Sequence, residues 1–117
     1  MKDLAPDIVR RRLLIEGLYS KAVDEAAVEK YLIDVAAHLG LRTYGRPIVH
    51  SPDAGRPENQ GFDAFIPLID SGISLYVWSQ RRFFAAVLFS CKDFDVNAAL
   101  RFTRDYFAAT ELEHRPF

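Results

Sequence analysis

Apolar positions recur along the chain with two different periods, and the period predicts the type of element. The apolar-rich run "RRLLIEGLY", Arg11 to Tyr19, predicts a first strand. A helix is predicted where apolar residues recur every three or four positions, at Val28, Leu32, Val35, Ala36 and Leu39. Asp24 is placed to cap the start of this helix and Gly40 to end it. The segment Leu41 to His50 predicts a short strand, interrupted at Gly45 and Pro47.

The second half of the chain alternates more rapidly between apolar runs and turns. Three strands are predicted, over Gly61 to Ile69, Ile73 to Trp78 and Arg82 to Ser90. Connections this short favour antiparallel neighbours. A second helix is predicted after Asp95, with Val96, Ala99, Leu100, Thr103 and Phe107 on one face. The polar tail from Glu111 is expected to fray, and the polar stretch from His50 to Gly61 is a loop that could carry binding residues.

The order β-α-β-β-β-β-α predicts a single α+β domain over residues 1–117, a two-layer sandwich with two helices on one face of an antiparallel sheet. The strand from Arg82 is apolar on both faces: Phe83, Ala85, Val87 and Phe89 alternate with Phe84, Ala86 and Leu88. Two helices cover only one of those faces, so the other requires a second cover. We therefore expect a homodimer in which two sheets pack together in an αββα arrangement.

Charge and composition exclude several classes of protein. A net charge of -1 without a long run of Lys or Arg argues against nucleic acid as the partner. The longest uninterrupted apolar run, Phe83 to Phe89, is too short to span a bilayer, and the N-terminus lacks the apolar core of a signal peptide. One cysteine fits a reducing compartment, and three scattered histidines offer no metal-ligand spacing. We expect a cytoplasmic protein with no bound metal and no membrane contact.

Five residues are candidates for chemistry: Asp63, Asp70, Ser71, Tyr76 and Cys91. The run "DSG", which begins at Asp70, has the composition of a β-turn, and that composition alone favours a purely structural role. Cys91 follows an apolar strand, where a cysteine is usually inert, but the charges of "KDFD" come next and a thiol there could reach a ligand. No Ser-His-Asp triad or glycine-rich phosphate loop is evident. The residues alone therefore indicate a small α+β dimer with a candidate site at the turn.

From Arg12 to Phe107 the chain resembles the bacterial S-adenosylmethionine decarboxylases, small pyruvoyl-dependent enzymes of spermidine biosynthesis, as a divergent member. Its segment "DSGISLYVWSQ", Asp70 to Gln80, is similar to the family's Glu-Ser-His-Leu-Ser-Ile-His-Thr-Trp-Pro-Glu. The later "VLFSCKDFDVNAALRFTRDYF" resembles the family's strand, catalytic cysteine and closing helix. Cys91 also follows Ser71 by the family's spacing.

The resemblance implies a self-cleaving enzyme. In such proteins the serine hydroxyl attacks the preceding carbonyl, and the chain is then cut to leave a pyruvoyl group. Here the cut would fall between Asp70 and Ser71, giving a β chain of residues 1–70 and an α chain of 71–117. The pyruvoyl group derived from Ser71 would condense with the substrate amine, and Cys91 would return a proton to the α-carbon.

Three positions that assist cleavage or ligand binding in the family carry different residues here, and we call them the helper positions. Tyr76 stands where the family has the histidine that assists cleavage, Asp63 replaces a second processing serine, and Gln80 replaces the glutamate that binds the ribose. A phenol does not exchange its proton near neutral pH as an imidazole does.

Three interpretations follow from the resemblance and its departures. The first is an active decarboxylase of S-adenosylmethionine or a related amino acid. The second is a non-processing homologue that binds a small amine or nucleoside, or modulates an active partner. The third is a structural dimer in which Ser71 only turns the chain.

Overall fold

The computed structural model describes residues 1–51 and 60–117. Its elements are β1 (Arg11–Tyr19), α1 (Glu25–His38), β2 (Ile48–His50), β3 (Gly61–Leu68), β4 (Ser71–Trp78), β5 (Phe83–Ser90), α2 (Val96–Phe107) and β6 (Ala109–Pro116). The predicted binding loop, His50 to Gly61, lies largely outside the described residues. No helix in the described part of the chain is both long and apolar enough to cross a membrane.

The six strands form one antiparallel sheet in the order β2-β3-β4-β5-β1-β6. Both helices pack on the same face of this sheet, with α1 over β2, β3 and β4 and α2 over β1 and β6. The α+β sandwich predicted from the sequence is therefore confirmed.

Both helices begin at the predicted caps. The Asp24 carboxylate accepts a hydrogen bond from the Ala27 N–H at 2.8 Å, and the Asp95 carboxylate accepts one from the Ala98 N–H at 3.1 Å. These bonds satisfy amides that have no partner within the first helical turn. Gly40 follows α1 with a φ of 70°, a conformation that glycine adopts without steric cost.

Two local predictions were wrong: the position of the turn before β4, and the frayed C-terminal tail. The turn between β3 and β4 consists of Ile69 and Asp70, so Ser71 is the first residue of β4 rather than part of the turn. The interruption predicted at Gly45 and Pro47 within the segment Leu41 to His50 is confirmed, since β2 begins only at Ile48, after Pro47, which has no N–H for a ladder. Upstream of β2, Thr43 makes only an isolated bridge to Leu68.

The C-terminal tail is a strand, not a frayed end. Residues Ala109–Pro116 form β6, which pairs with β1 along almost its whole length. The backbone of β1 would otherwise present a row of unpaired N–H and C=O groups at the sheet edge. Hydrogen bonding to that edge, rather than an apolar pattern, orders this polar segment.

The two faces of the sheet differ in cover. On the helix side Phe84, Ala86 and Leu88 are fully buried, and the Phe84 ring stacks on Phe107 with 4.2 Å between centroids. We call the opposite surface the open face. It carries the exposed aromatic side chains Phe65, Tyr76, Trp78 and Phe89. The two apolar sides predicted for β5 are thus present, and one of them has no cover among residues 1–51 and 60–117.

Candidate functional site

Antiparallel pairing brings Ser71 and Cys91 to the same end of the sheet. Ser71, at the start of β4, is paired with Ser90, at the end of β5, and Cys91 follows immediately. Cys91 is a free, exposed thiol, whereas Ser90 is fully buried. Two residues twenty positions apart in the sequence are therefore neighbours across adjacent strands.

The peptide bond between Asp70 and Ser71 is held by a backbone hydrogen bond. The Cys91 N–H donates to the Asp70 carbonyl oxygen at 2.8 Å. Ser71 has a φ of 131°, a region that non-glycine residues rarely adopt. A backbone of this kind costs on the order of 1–3 kcal/mol and is usually found at functional sites.

The Asp70 side chain is anchored beside this bond. Arg42 Nη2 donates to Asp70 Oδ1 at 3.2 Å, and this hydrogen bond lowers the pKa of the Asp70 carboxyl. The ion pair therefore persists at neutral pH and is lost only as the pH falls through that lowered pKa. The second oxygen, Oδ2, is buried and has no hydrogen-bond partner among the described residues. Neither Arg42 nor this orphaned oxygen was predicted from the sequence.

The chain after Cys91 is fixed by polar contacts. The Ser90 hydroxyl accepts from the Lys92 N–H at 2.9 Å, and Lys92 Nζ donates to the Gly40 carbonyl at 2.9 Å. Arg11 Nε donates to Asp93 Oδ1 at 2.7 Å. These contacts position the Cys91 backbone amide against the Asp70 carbonyl.

The strain at Ser71 leads to a stability prediction that does not depend on cleavage. We expect the Ser71→Gly variant to be more stable than Ser71→Ala by about 1–3 kcal/mol, because only glycine adopts this φ without strain. Neither variant has the hydroxyl needed for cleavage, so both can be compared uncut by urea unfolding. At Ser74, which has no positive φ, we expect glycine to be less stable than alanine by about 0.5–1 kcal/mol. Equal free energies of unfolding for the two Ser71 variants would contradict a strained backbone at this position.

A second group of candidate residues lies elsewhere on the sheet. Asp63 in β3 is paired with Tyr76 in β4, and His50 in β2 is paired with Asp63. All three side chains line a shallow pocket of about 200 Å³ on the open face. His50 was not identified from the sequence, because only the strand register places it in this row.

Within one chain, His50, Asp63 and Tyr76 lie too far from Ser71 to contact it. Tyr76 is five positions beyond Ser71 along β4, a distance of about 16 Å. Gln80 lies in the turn after β4, farther still from Ser71. The structure thus brings Asp70, Ser71 and Cys91 together and leaves the three helper positions apart from them.

An aromatic ring covers the strand next to the candidate cleavage site. A Cβ added to Gly72 would lie 2.5 Å from two ring atoms of Phe65, so only glycine allows this ring to approach so closely. Phe65 is itself 41% exposed on the open face. It offers a planar surface close to Ser71 that the sequence did not identify as part of the site.

Comparisons with known proteins identify the family and the fold of the chain. The family model described as "S-adenosylmethionine decarboxylase" matches residues 13–117. Among solved structures, the chain is similar to the adenosylmethionine decarboxylase of Aquifex aeolicus VF5, with a TM-score of 0.69 and 13% sequence identity over 94% of this chain and 89% of that one. At that identity the structural likeness establishes the fold alone. No curated protein matches the chain. Because the family model covers nearly the whole sequence, the chain belongs to the S-adenosylmethionine decarboxylase family.

Proposed function

We propose that this protein is a pyruvoyl-dependent decarboxylase that acts on S-adenosylmethionine, or a related amino acid, in polyamine biosynthesis. It would make its own cofactor by breaking the bond between Asp70 and Ser71. The observation that carries the proposal is the 2.8 Å hydrogen bond from the Cys91 N–H to the Asp70 carbonyl oxygen. That donor is aimed at the atom on which negative charge develops when a hydroxyl attacks the carbonyl.

Cleavage would begin with the Ser71 hydroxyl adding to the Asp70 carbonyl carbon. The resulting oxyanion is stabilised by the Cys91 N–H, and the C–N bond then breaks as the Ser71 nitrogen takes up a proton, which leaves an ester. Loss of the Ser71 α-proton and breakage of the bond between Ser71 Cβ and Oγ release the Asp70 carboxylate and leave dehydroalanine. Water then displaces the nitrogen as ammonia, and a pyruvoyl group heads residues 71–117.

The residues present fit a pyruvoyl group at position 71. Ser71 starts a strand and is only half-buried, so a new N-terminus there would be accessible to a ligand. Cys91, whose thiol is exposed, directly follows Ser90, the residue paired with Ser71. When present, the pyruvoyl group supplies the electron sink for loss of carbon dioxide from an amino acid. Cys91 would donate the proton that replaces the departing carboxylate.

The open face supports a homodimer. Phe65, Tyr76, Trp78 and Phe89 are each between 36% and 42% exposed there, and a second copy packed face to face would bury them. A dimer also offers a way to complete the site. Because Tyr76 lies about 16 Å along the strand from Ser71 of its own chain, it can assist cleavage only at Ser71 of a second copy. Asp63, which is paired with Tyr76, would reach that site in the same way.

The intact mass of the purified chain tests the proposal. We expect two fragments, residues 1–70 and residues 71–117, the second with a pyruvoyl N-terminus. A single mass that stays uncut on long incubation would contradict it.

A further inference from the structure

The short segment that follows α1 contacts the chain on both sides of the candidate cleavage site. Arg42 contacts the turn before β4: its carbonyl oxygen accepts from the Ile69 N–H at 2.9 Å, and its guanidinium donates to Asp70 Oδ1 at 3.2 Å. Gly40 contacts the chain that follows β5, where its carbonyl oxygen accepts from Lys92 Nζ at 2.9 Å. The two pieces of chain that meet at the scissile bond are therefore both held by one segment.

The Asp70 carboxylate is a buried charge, and Arg42 donates its hydrogen bond. The Asp70 side chain is only 10% exposed, and its Oδ2 atom has no hydrogen-bond partner within residues 1–51 and 60–117. The hydrogen bond from Arg42 is the main cause of the lowered pKa of this carboxyl, and the charge of Lys92 adds a smaller lowering. Because a buried charge without a hydrogen-bonded partner is costly, loss of the Arg42 guanidinium should drive the carboxylate toward water.

The scissile peptide bond depends on contacts from outside its own turn. Ser71 has a φ of 131°, and a residue in such a conformation persists only where the surrounding structure holds it there. An aspartate side chain has two rotatable bonds, so anchoring the Asp70 carboxylate also restricts the carbonyl group of the same residue. The Cys91 N–H donates to that carbonyl at 2.8 Å. The Arg42 contact therefore favours the conformation in which this hydrogen bond is made.

We propose that Arg42 is a positioning residue that holds the Asp70 carbonyl against the Cys91 N–H and thereby sets the rate of self-cleavage. The inference rests on the proposed function, and it adds a residue that touches neither the substrate nor the reacting atoms. The covalent steps are unchanged, because the Ser71 hydroxyl still adds to the Asp70 carbonyl carbon. Arg42 acts by raising the fraction of molecules in which the oxyanion would form beside its donor.

The cleavage rates of Arg42 variants, followed by intact mass, test this role. We expect Arg42→Gln to slow cleavage by about 5- to 30-fold, the effect of losing a charged hydrogen bond that solvent partly screens. Arg42→Lys should recover most of the rate, because lysine keeps a charged donor. The control, Arg46→Gln, removes a nearby arginine that is paired with Glu29, and it should be cut like the wild type. A lysine variant as slow as the glutamine variant would overturn the inference.

A second comparison asks whether Arg42 acts through Asp70. Asp70→Asn removes the charge from the other member of the ion pair and should slow cleavage by a similar factor. Because both substitutions break the same contact, the double variant should be no slower than the slower of the two single variants. Slowing by the product of the two single effects would mean that the residues act independently, which would overturn the inference.

Amide hydrogen exchange in the uncut Ser71→Ala protein tests the positioning without cleavage. Adding Arg42→Gln should speed exchange of the Cys91 N–H by about 5- to 30-fold, because the hydrogen bond to the Asp70 carbonyl opens more often. The Tyr19 N–H, which is hydrogen-bonded at the other end of the sheet, should be unaffected. Unchanged exchange at Cys91 would overturn the inference, as would an equal increase at both amides, which would make Arg42 a residue of general stability. A wild-type chain that is never cut would contradict the proposed function, and exchange at Cys91 would still decide whether Arg42 positions the carbonyl.

Discussion

Replacing Cys91 with alanine is expected to separate the two reactions of this site. Cleavage between Asp70 and Ser71 should continue near the wild-type rate, because the donor to the Asp70 carbonyl is the backbone N–H of residue 91. The rate of decarboxylation should fall by about 10²–10⁴-fold, which is the usual contribution of a positioned proton donor. Cleavage would be followed by intact mass over time, and turnover by carbon dioxide release from carboxyl-labelled S-adenosylmethionine with fully cut protein.

The Cys91→Ser variant is the matched control, because it keeps the backbone donor and supplies a hydroxyl in place of the thiol. It should be cut like the alanine variant and should recover at most part of the turnover. Equal slowing of cleavage and turnover in Cys91→Ala would show that the thiol acts in both reactions. Unchanged turnover would mean that another group supplies the proton.

The double change Tyr76→His with Asp63→Ser is expected to accelerate cleavage by about 10²–10⁴-fold. An imidazole transfers protons near neutral pH, which a phenol does poorly, and a serine hydroxyl adds no negative charge near the developing oxyanion. The control is Tyr76→Phe with Asp63→Ser, which removes the phenol without introducing an imidazole and should not show the same gain. If the histidine variant is cleaved no faster than this control, the residues at positions 63 and 76 do not limit the cleavage rate.

The same changes test the arrangement of the dimer. They would be placed on a chain that also carries Ser71→Ala and is co-expressed with an unmodified chain under a different tag. We expect faster cleavage of the unmodified chain in the mixed dimer, because the histidine at position 76 would act across the interface. Faster cleavage only when the changes and Ser71 share one chain would contradict the proposed assembly.

Side-chain periodicity predicted the elements that bury an apolar face. Strand β1 and the starts of both helices lie where the pattern placed them, because burial of one face imposes the period. Strand β6 was missed, since only Leu112 within its polar sequence is packed against the core. Its order comes from backbone pairing with β1, and a hydrophobic pattern does not record such pairing.

The candidate site was predictable only in part for a related reason. The spacing of Ser71 and Cys91 matched a known motif, and antiparallel pairing of β4 with β5 places them together. Arg42 belongs to no motif, and it reaches Asp70 through a contact between residues distant in sequence. The separation of Tyr76 from Ser71 likewise required the geometry of the strand, because a nearby position in the sequence does not imply a contact.

The most direct test of self-cleavage is the intact mass of the purified wild-type chain during incubation at neutral pH, with Ser71→Ala as the control. We expect the uncut mass to be replaced by residues 1–70 and by a fragment 71–117 that is lighter by one ammonia than the same peptide with a serine N-terminus, because a pyruvoyl group replaces the serine. Hydroxylamine should trap any accumulated ester by releasing a fragment that still begins with serine. A wild-type chain that stays whole, with and without hydroxylamine, would contradict the proposal that Ser71 breaks its own peptide bond.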